Sequence, residues 1–165
     1  MINQSEFITK LAVDSWHTHL QRLSQFIDNL SDDQLMKRIA PKKNRGIYLL
    51  GHLTTVHDRM LPMMFFGDTL FPELNELFLI QPDNPDVEYP PIPTLREHWY
   101  IVNKTLNQHI GTLPIEGWLE RHSAVLEQDF VKEPHRNRLN LLLNRTNHLS
   151  NHFGQLLLLK EGALV

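Results

Sequence analysis

Apolar residues recur at spacings of three and four in four long stretches of the chain, which is the pattern of helices that bury one face. The first predicted helix runs from about Ser5, a candidate N-terminal cap, to Leu30. The sequence Ser-Asp-Asp at 31–33 then predicts a cap for a short helical turn that extends through Met36 to Arg38. The apolar stripe of the first helix consists of Ile8, Ala12, Trp16, Leu20, Leu23, Ile27 and Leu30.

A second helical pattern begins between Asn44 and Ile47 and extends to Gly67, where the glycine is expected to end it. Its apolar positions are Leu49, Leu50, Leu53, Val56, Met60 and Met64. The prolines between Gly67 and Pro93 exclude a long regular helix there, although the sequence PELNELFLI at 72–80 favours a brief one. We therefore predict a long crossover connection in place of a tight turn.

The third predicted helix begins with Thr94 and Glu97, which have the spacing of a capping box, and it ends within 111–114. Its apolar stripe consists of Leu95, Trp99, Val102, Leu106 and Ile110. Residues 118–135 have only partial helical character, in the sequence SAVLEQDF, and Pro134 marks a boundary.

The fourth predicted helix runs from about Arg136 to Lys160, with Gly162 beyond its end. No stretch of the chain has an alternating strand pattern or a repeated unit. The predicted fold class is therefore all-α, as a single domain over residues 1–165. Because the long connection joins the second and third helices, these two are expected to run parallel, which gives an up-down-down-up four-helix bundle.

Composition and charge narrow the classes of function. The formal net charge is -3, and Lys42, Lys43 and Arg45 form only a short basic cluster, which argues against a nucleic-acid partner. No apolar run is long enough to span a membrane and the first residues lack the pattern of a secretion signal, so a cytoplasmic location is expected. The chain contains no cysteine, and any bound metal must therefore be held by nitrogen and oxygen atoms.

The strongest candidate chemistry lies in the fourth predicted helix, in the sequence NHLSNHFGQ. His148 and His152 are four residues apart, so both imidazoles leave one helix face about one turn apart, as in many divalent-metal sites. Arg145 and Gln155 lie in the same polar column beside the apolar stripe. Burying neutral imidazoles beside leucines costs free energy unless their nitrogens have partners, which a metal would provide. The alternative is a pair of partly exposed histidines on a helix flank.

The second predicted helix carries two further histidines, His52 and His57. Since they are five residues apart, their side chains point about 140° away from each other and cannot easily bind the same metal. Periodicity slightly favours His57 as the inward residue, because it lies closer to the direction of Leu53, Met60 and Met64. On periodicity alone, the choice between the two stays open.

Two segments of the chain resemble the DinB/YfiT family of metal-binding four-helix proteins. They are the run from Ile47 to Leu74, which contains GHLTTVHDRMLPMMFFGDTLFPEL, and the late sequence NHLSNHFGQLLL. That family places one ligand histidine in a GHL-like segment of the second helix and two in an HxxxHxGQ-like segment of the fourth. His52, His148 and His152 match these positions, so the resemblance implies a metal site with three histidine ligands.

With this resemblance, the other histidines take lesser roles. His57 is then a core or supporting group, oriented by Asp58 or by a helix carbonyl, and His19 is a weaker candidate for lining the pocket. Gln155 either holds a ligand, water or backbone group or is a solvated flank residue, and Gly154 permits close packing. Surface or loop positions are expected for His17, His98, His109, His122 and His135, with a loop histidine left open as a fourth ligand. Core or pocket-wall positions are expected for Met60, Met63 and Met64.

Three neutral imidazoles bind Zn²⁺ or Ni²⁺ well and leave coordination positions for water or substrate. Such an ion lowers the pKa of bound water or binds a thiolate, so we expect a metal-dependent thiol S-transferase or hydrolase acting on a small molecule. The resemblance implies a low-molecular-weight thiol as a candidate co-substrate. His57, Asp58 and Glu97 are the candidates for a general base.

The competing hypothesis is a non-catalytic helical module in which the metal only joins the second and fourth helices. The resemblance also implies a homodimer. Apolar residues between Leu70 and Ile80 are the candidates for its symmetric contact.

Overall fold

The computed structural model of the protein describes residues 3–160, so Gly162 lies outside the described part of the chain. Within that part the chain forms helices and no β-strand, which confirms the all-α class. The α-helices are α1 (Gln4–Asp28), α2 (Asp32–Met36), α3 (Gly46–Asp58), α4 (Met60–Met63), α5 (Ile92–Thr112), α6 (Ile115–Trp118), α7 (Glu127–Phe130) and α8 (Arg138–Leu156). One π-helical turn (Glu76–Ile80) lies in the crossover, and a 3₁₀ turn (Leu157–Leu159) follows α8.

The start of α1 differs from the predicted one. The cap is Asn3, whose side-chain oxygen accepts the amide of Ser5 at 3.1 Å, so the assignment of Ser5 as the cap is wrong. Ile8 is also 55% exposed, whereas Thr9 is buried. Thr9 faces the core because it lies only about 20° around the helix axis from Trp16, whereas Ile8 lies about 80° away from it. Ser31 caps the short α2 and forms a complete capping box with Gln34, so the cap predicted at 31–33 is confirmed.

The second predicted helix is divided into α3 and α4 at Arg59. Pro62 explains the break, since it has no N–H to donate to the carbonyl of Asp58 one turn earlier. The carboxylate of Asp58 instead accepts the main-chain amides of Leu70 and Phe71 at 2.8 and 2.9 Å. These bonds hold the start of the crossover against the end of α3.

The capping box predicted at Thr94 and Glu97 is wrong, because α5 begins two residues earlier at Ile92. Pro91 precedes the helix and Pro93 lies in its first turn, where a proline's fixed φ favours helix initiation and its missing N–H costs nothing. The brief helix in the crossover is confirmed by the π-helical turn, and the partial helix in SAVLEQDF by α7.

The last long helix, α8, begins at Arg138 and not at Arg136. Its N-terminal cap is Asn137, whose side chain accepts the amide of Asn140 at 2.9 Å. The helix ends at Leu156 and the 3₁₀ turn continues the chain almost to the predicted end.

One hydrophobic core connects the long helices, with α3 packed against α5 and α1 against α8. Helix α3 is enclosed on almost every side, because each of its residues except His52 is buried. The three tryptophans Trp16, Trp99 and Trp118 are fully buried in or beside this core. No helix in residues 3–160 combines the length and apolar character that crossing a membrane requires.

The crossover packs closely on α3 because Gly51 has no side chain. A Cβ atom at Gly51 would lie 2.3 Å from the ring of Phe78, which is completely buried in the π-helical turn. The hydroxyl of Tyr48 donates to the carbonyl of Gln81 at 2.9 Å and supports the same contact. Leu74 is also buried, whereas Leu70 and Ile80 are 40% and 68% exposed. The crossover is therefore an integral part of the wall beside α3.

Candidate metal centre

Three histidines from α3 and α8 meet between the two helices. The Nε2 atom of His148 lies 3.3 Å from Nε2 of His52 and 3.1 Å from Nε2 of His152. All three side chains are half-buried, so the cluster borders both the core and the solvent. Each ring offers a nitrogen within 4.8 Å of those of the other two, a grouping that could hold a metal ion.

The first ring of this cluster is oriented by the crossover. The Nδ1 atom of His52 lies 2.8 Å from the main-chain carbonyl oxygen of Phe78. Because a carbonyl only accepts hydrogen bonds, Nδ1 must carry the proton and donate it. The lone pair of the neutral ring therefore resides on Nε2 and faces the cluster.

The ring of His152 is held in the same tautomer by a neighbour on its own helix. Its Nδ1 atom lies 2.9 Å from Oε1 of Gln155 and donates to it. Of the two roles open for Gln155, the structure therefore favours holding a candidate ligand over that of a solvated flank residue. Burial lowers the pKa of His152 most, the hydrogen bond that its ring donates to Gln155 raises the pKa, and the nearby His52 lowers it.

The third ring lacks such support, since the Nδ1 atom of His148 is buried without a hydrogen-bond partner. Burial, followed by the positive charges that His152, His52 and Arg145 can carry, lowers the pKa of His148 to about 4. The ring is therefore neutral near pH 7 and has one proton for its two nitrogens. It cannot donate to both neighbouring Nε2 atoms, and one buried polar atom is left unsatisfied in either tautomer.

The spacing of the two nitrogens nearest Nε2 of His148 fits ligands that share a metal ion. Two ligands about 2.05 Å from Zn²⁺ in a tetrahedral arrangement are about 3.3 Å apart. The distances of 3.1 and 3.3 Å from His148 agree with this value. A cation would accept all three lone pairs, and among the described residues no further histidine, aspartate or glutamate joins the group. A fourth protein ligand from a loop histidine is thus not part of this cluster, which leaves room for water or substrate.

His57 lies in the core and not in the cluster. It is fully buried between Trp16 and Trp99, with ring centroids 4.9 and 5.0 Å away. Its Nδ1 atom donates to Oδ1 of Asn103 at 2.7 Å, and the amide of Asn103 donates to the carbonyl of Trp99. The expectation that Asp58 or a helix carbonyl orients His57 is therefore wrong, since Asp58 binds the crossover.

The remaining histidines lie outside the cluster. His17 and His135 are exposed, as expected. His98 and His109 are half-buried on α5 and stack on Phe71 and Phe66 with ring centroids 3.7 and 4.9 Å apart. These stacking contacts form because the connection after α4 folds back over α5. His122 is half-buried in the connection between α6 and α7, so the expected loop position is confirmed for it. The Nδ1 atom of His19 interacts with the carbonyl of Ser15 on its own helix at 2.9 Å.

The predicted positions of the methionines are confirmed, whereas the prediction for Gly154 is not. Met60 and Met64 are completely buried in the core, and the half-buried Met63 contacts Arg145, so their predicted core or wall positions are confirmed. The close packing expected at Gly154 is wrong, because a Cβ atom there would meet nothing within 4 Å.

The sequence interpretation missed two groups that support the histidines. Asn103 had a visible signal, since it is a polar residue beside Val102 in the apolar stripe of α5. The carbonyl of Phe78 had none, because a main-chain oxygen carries no residue-specific signature.

The sequence of the chain matches the model of a known protein family. Residues 15–156 match the family model described as the DinB superfamily, which covers most of the chain and both histidine segments. No curated protein matches the chain.

Proposed function

The chain belongs to the DinB superfamily, and from this premise we propose that it is a divalent-metal-dependent enzyme with His52, His148 and His152 as its metal ligands. The observation that carries the proposal is the convergence of three Nε2 atoms, two of them on rings whose Nδ1 protons are engaged elsewhere. Such outer hydrogen bonds are typical of histidines that ligate metals.

Zn²⁺ or Ni²⁺ is the proposed ion, because neutral imidazoles suit both and the cluster contains no sulfur or carboxylate. When bound, such an ion supplies a Lewis acid that activates water or a substrate thiolate. The residues of the chain orient the ligands, and the three histidines are only half-buried. We therefore propose a thiol-dependent S-transferase or a hydrolase that acts on a small molecule.

None of the three candidates for a general base takes part in this proposal. His57 is fully buried, and its protonated Nδ1 is engaged by Asn103. The carboxylate of Asp58 is engaged by two main-chain amides. Glu97 is exposed on α5, a helix that contributes no histidine to the cluster.

We also propose that the four long helices follow the up-down-down-up course. Trp16 donates to Asn107 at 3.2 Å and Trp99 donates to Ser24 at 2.9 Å, so contacts between α1 and α5 run in opposite sequence order. Helices α3 and α8 run antiparallel, as three contacts indicate. They are Met63 of α4 with Arg145, His52 with His148, and Gly46 with Leu159 of the turn that follows α8. Helices α3 and α5 run parallel, as two contacts indicate. Ile47 and Ile92, near the starts of the two helices, line one surface cleft, and His57, near the end of α3, bonds to Asn103 farther along α5.

The test is metal analysis of protein purified without an affinity tag, since tag histidines bind metal themselves. We expect about one Zn²⁺ or Ni²⁺ per wild-type chain and almost none in His148→Ala. The matched control is His135→Ala, which removes an exposed histidine and should leave the metal content unchanged. Full metal occupancy in His148→Ala would overturn the proposed ligand set.

A second experiment separates an enzyme from a module with a structural metal. Wild-type protein, with and without chelator, is screened for transfer of small thiols and for hydrolysis of esters and amides. Turnover that disappears with the chelator supports the proposal. A large drop in Tm on chelation, with no turnover of any substrate, would favour the non-catalytic alternative.

A further inference from the structure

Arg145 is a half-buried cation that has no anionic partner. It lies one turn before His148 on α8, and no carboxylate in residues 3–160 approaches its guanidinium within 4.0 Å. Its Nη2 atom lies 3.8 Å from the sulfur of Met63, which is a weak acceptor. Its Nε atom is buried without any hydrogen-bond partner. An arginine in this state is costly, because a desolvated charge needs a compensating partner.

The other buried or half-buried arginines of the described chain differ in this respect. Arg45 forms an ion pair with Asp83 at 2.7 Å, and Arg96 donates to the carbonyl of Leu30 at 2.7 Å. The arginines that likewise donate to a carbonyl or carboxylate oxygen are Arg121, Arg136 and Arg138. Arg145 is therefore the exception among them, and it is also the one beside the histidine cluster.

The electrostatic environment of Arg145 is positive. Burial, and then the charge of Arg59, lower the pKa of Arg145. The charge of Arg145 in turn contributes to lowering the pKa of His148, after burial and the two other cluster histidines. The cluster contains no carboxylate, so a divalent ion there would add two more positive charges beside the guanidinium. A site of this kind attracts an anion.

We propose that Arg145 binds an oxyanion, a carboxylate or phosphate group, on the ligand that reaches the histidine cluster. This inference rests on the proposed function, because the other end of the same ligand would occupy the metal. The planar guanidinium fork matches both oxyanions and binds them in a bidentate manner. Arg145 and His148 are separated by a rise of about 4.5 Å along α8, so a short molecule can reach both. The ligand class is thus a small organic anion with a thiol or another metal-binding group a few bonds from its oxyanion.

The main experiment compares two thiols that differ only at the far end, 3-mercaptopropionate and 3-mercapto-1-propanol, in titration calorimetry on the zinc-loaded protein. We expect the carboxylate to bind at least ~10-fold more tightly, since hydrogen bonds to charged groups are strong. Arg145→Gln should abolish this preference, and Arg145→Lys should keep part of it. Equal affinity of the wild type for both thiols would overturn the carboxylate form of the proposal.

The matched control is Arg59→Gln, which removes one exposed positive charge from the same region. It should preserve most of the preference, because a general field is weaker than direct pairing. If Arg59→Gln and Arg145→Gln weaken the preference equally, the direct role of Arg145 is wrong. Metal content, measured on each variant, reports separately on the proposed ligand set.

A metal-free arm tests the oxyanion site even if the ligand set is wrong. Propionate and inorganic phosphate, each compared with chloride at equal ionic strength, should raise the Tm of chelator-treated wild type but not that of Arg145→Gln. A response to phosphate alone would identify a phosphate group as the oxyanion, and a response to propionate alone a carboxylate. No response to either anion would overturn the proposal.

The variant Arg145→Met tests whether the side chain is merely structural. Because the guanidinium has no oxygen partner, we expect the Tm of this variant to equal or exceed that of the wild type. A fall of more than about 8 °C, with the thiol preference retained, would assign a structural role to Arg145 and overturn its role in binding.

Discussion

The Nδ1 atom of His52 donates a hydrogen bond of 2.8 Å to the main-chain oxygen of Phe78 and thereby joins the candidate metal centre to the crossover. The crossover is therefore more than a connection between α3 and α5. It selects the tautomer of His52 and directs the Nε2 lone pair toward His148 and His152. This contact requires the glycine at position 51, because any larger residue would meet the ring of Phe78.

The first prediction follows from that close contact. In Gly51→Ala the added Cβ would overlap the ring of Phe78, which lies 2.3 Å from its position, so the ring must shift, and we expect the π-helical turn that carries it to shift as well. We expect His52 to lose its carbonyl acceptor and the affinity for Zn²⁺ to fall about 10- to 100-fold. Metal competition with a chromophoric chelator measures the change. Unchanged affinity in this variant would contradict the supporting role of the crossover.

The matched control is Gly154→Ala on the exposed side of α8, where a Cβ meets nothing within 4 Å. Alanine has the higher helix propensity, so we expect the free energy of unfolding to rise by about 1 kcal/mol. Urea denaturation measures this gain, and the affinity for Zn²⁺ should equal that of the wild type.

A second prediction concerns Gln155, which accepts the Nδ1 proton of His152 at 2.9 Å. Gln155→Ala removes this acceptor, and we expect a fall in Zn²⁺ affinity of about 10- to 100-fold. Gln155→Glu retains an acceptor at the same position and should largely restore the affinity. Asn151→Ala, on an exposed part of the same helix, is the control with no expected effect. The prediction is wrong if the alanine and glutamate variants bind Zn²⁺ equally well.

A third prediction concerns acid stability. Burial lowers the pKa of His57 to about 3, although the hydrogen bond to Asn103 opposes the shift. The unfolded chain binds a proton at this residue below about pH 6.5, whereas the folded protein does not do so until about pH 3. His57 therefore reduces stability progressively as the pH falls through this window, by about 1.4 kcal/mol per pH unit, and has no such effect above it.

The variant His57→Gln isolates this contribution, since glutamine does not titrate and its amide can still donate to Asn103. Urea denaturation of metal-free protein between pH 7 and pH 5 should show a shallower loss of stability in the variant. Parallel pH profiles for the two proteins would show that His57 is not the acid-sensitive group.

A fourth prediction concerns the buried ion pair that anchors the far part of the crossover. Asp83 accepts the main-chain amide of Arg45 at 2.8 Å and pairs with its guanidinium at 2.7 Å. Burial alone would raise the pKa of Asp83, but the hydrogen bonds and charge of Arg45 outweigh it and lower the pKa. Asp83→Ala leaves a buried guanidinium without its carboxylate, and we expect it to cost about 3–5 kcal/mol in urea denaturation.

The control for this variant is Asp86→Ala, an exposed position in the same segment, with an expected change within about 0.5 kcal/mol. Because the pKa of Asp83 lies below its unfolded value, the pair stabilises the protein above about pH 3.8 and loses this effect as the pH falls further. If the loss in free energy of unfolding caused by Asp83→Ala does not change as the pH falls below about 3.8, the effect comes from lost packing alone.

Helix positions were largely readable from the sequence, because the period of apolar residues is a local property of each segment. The cap at 31–33 located α2, and the spacing of His148 and His152 placed both rings on one face of α8. The errors arose where a local signal competed with a stronger one. Pro91 and Pro93 start α5 before the apparent capping box at Thr94.

Periodicity could not choose between His52 and His57, because α3 is enclosed by core on almost every side and has no single apolar direction. Only the packing of α5, α8 and the crossover around α3 decided that His57 faces Asn103 and His52 faces His148. The unpaired state of Arg145 is likewise a tertiary property, since the lack of an acid near a guanidinium depends on residues distant in sequence. Local spacing thus determined which residue types lie on each helix, and contacts between helices decided which of them meet.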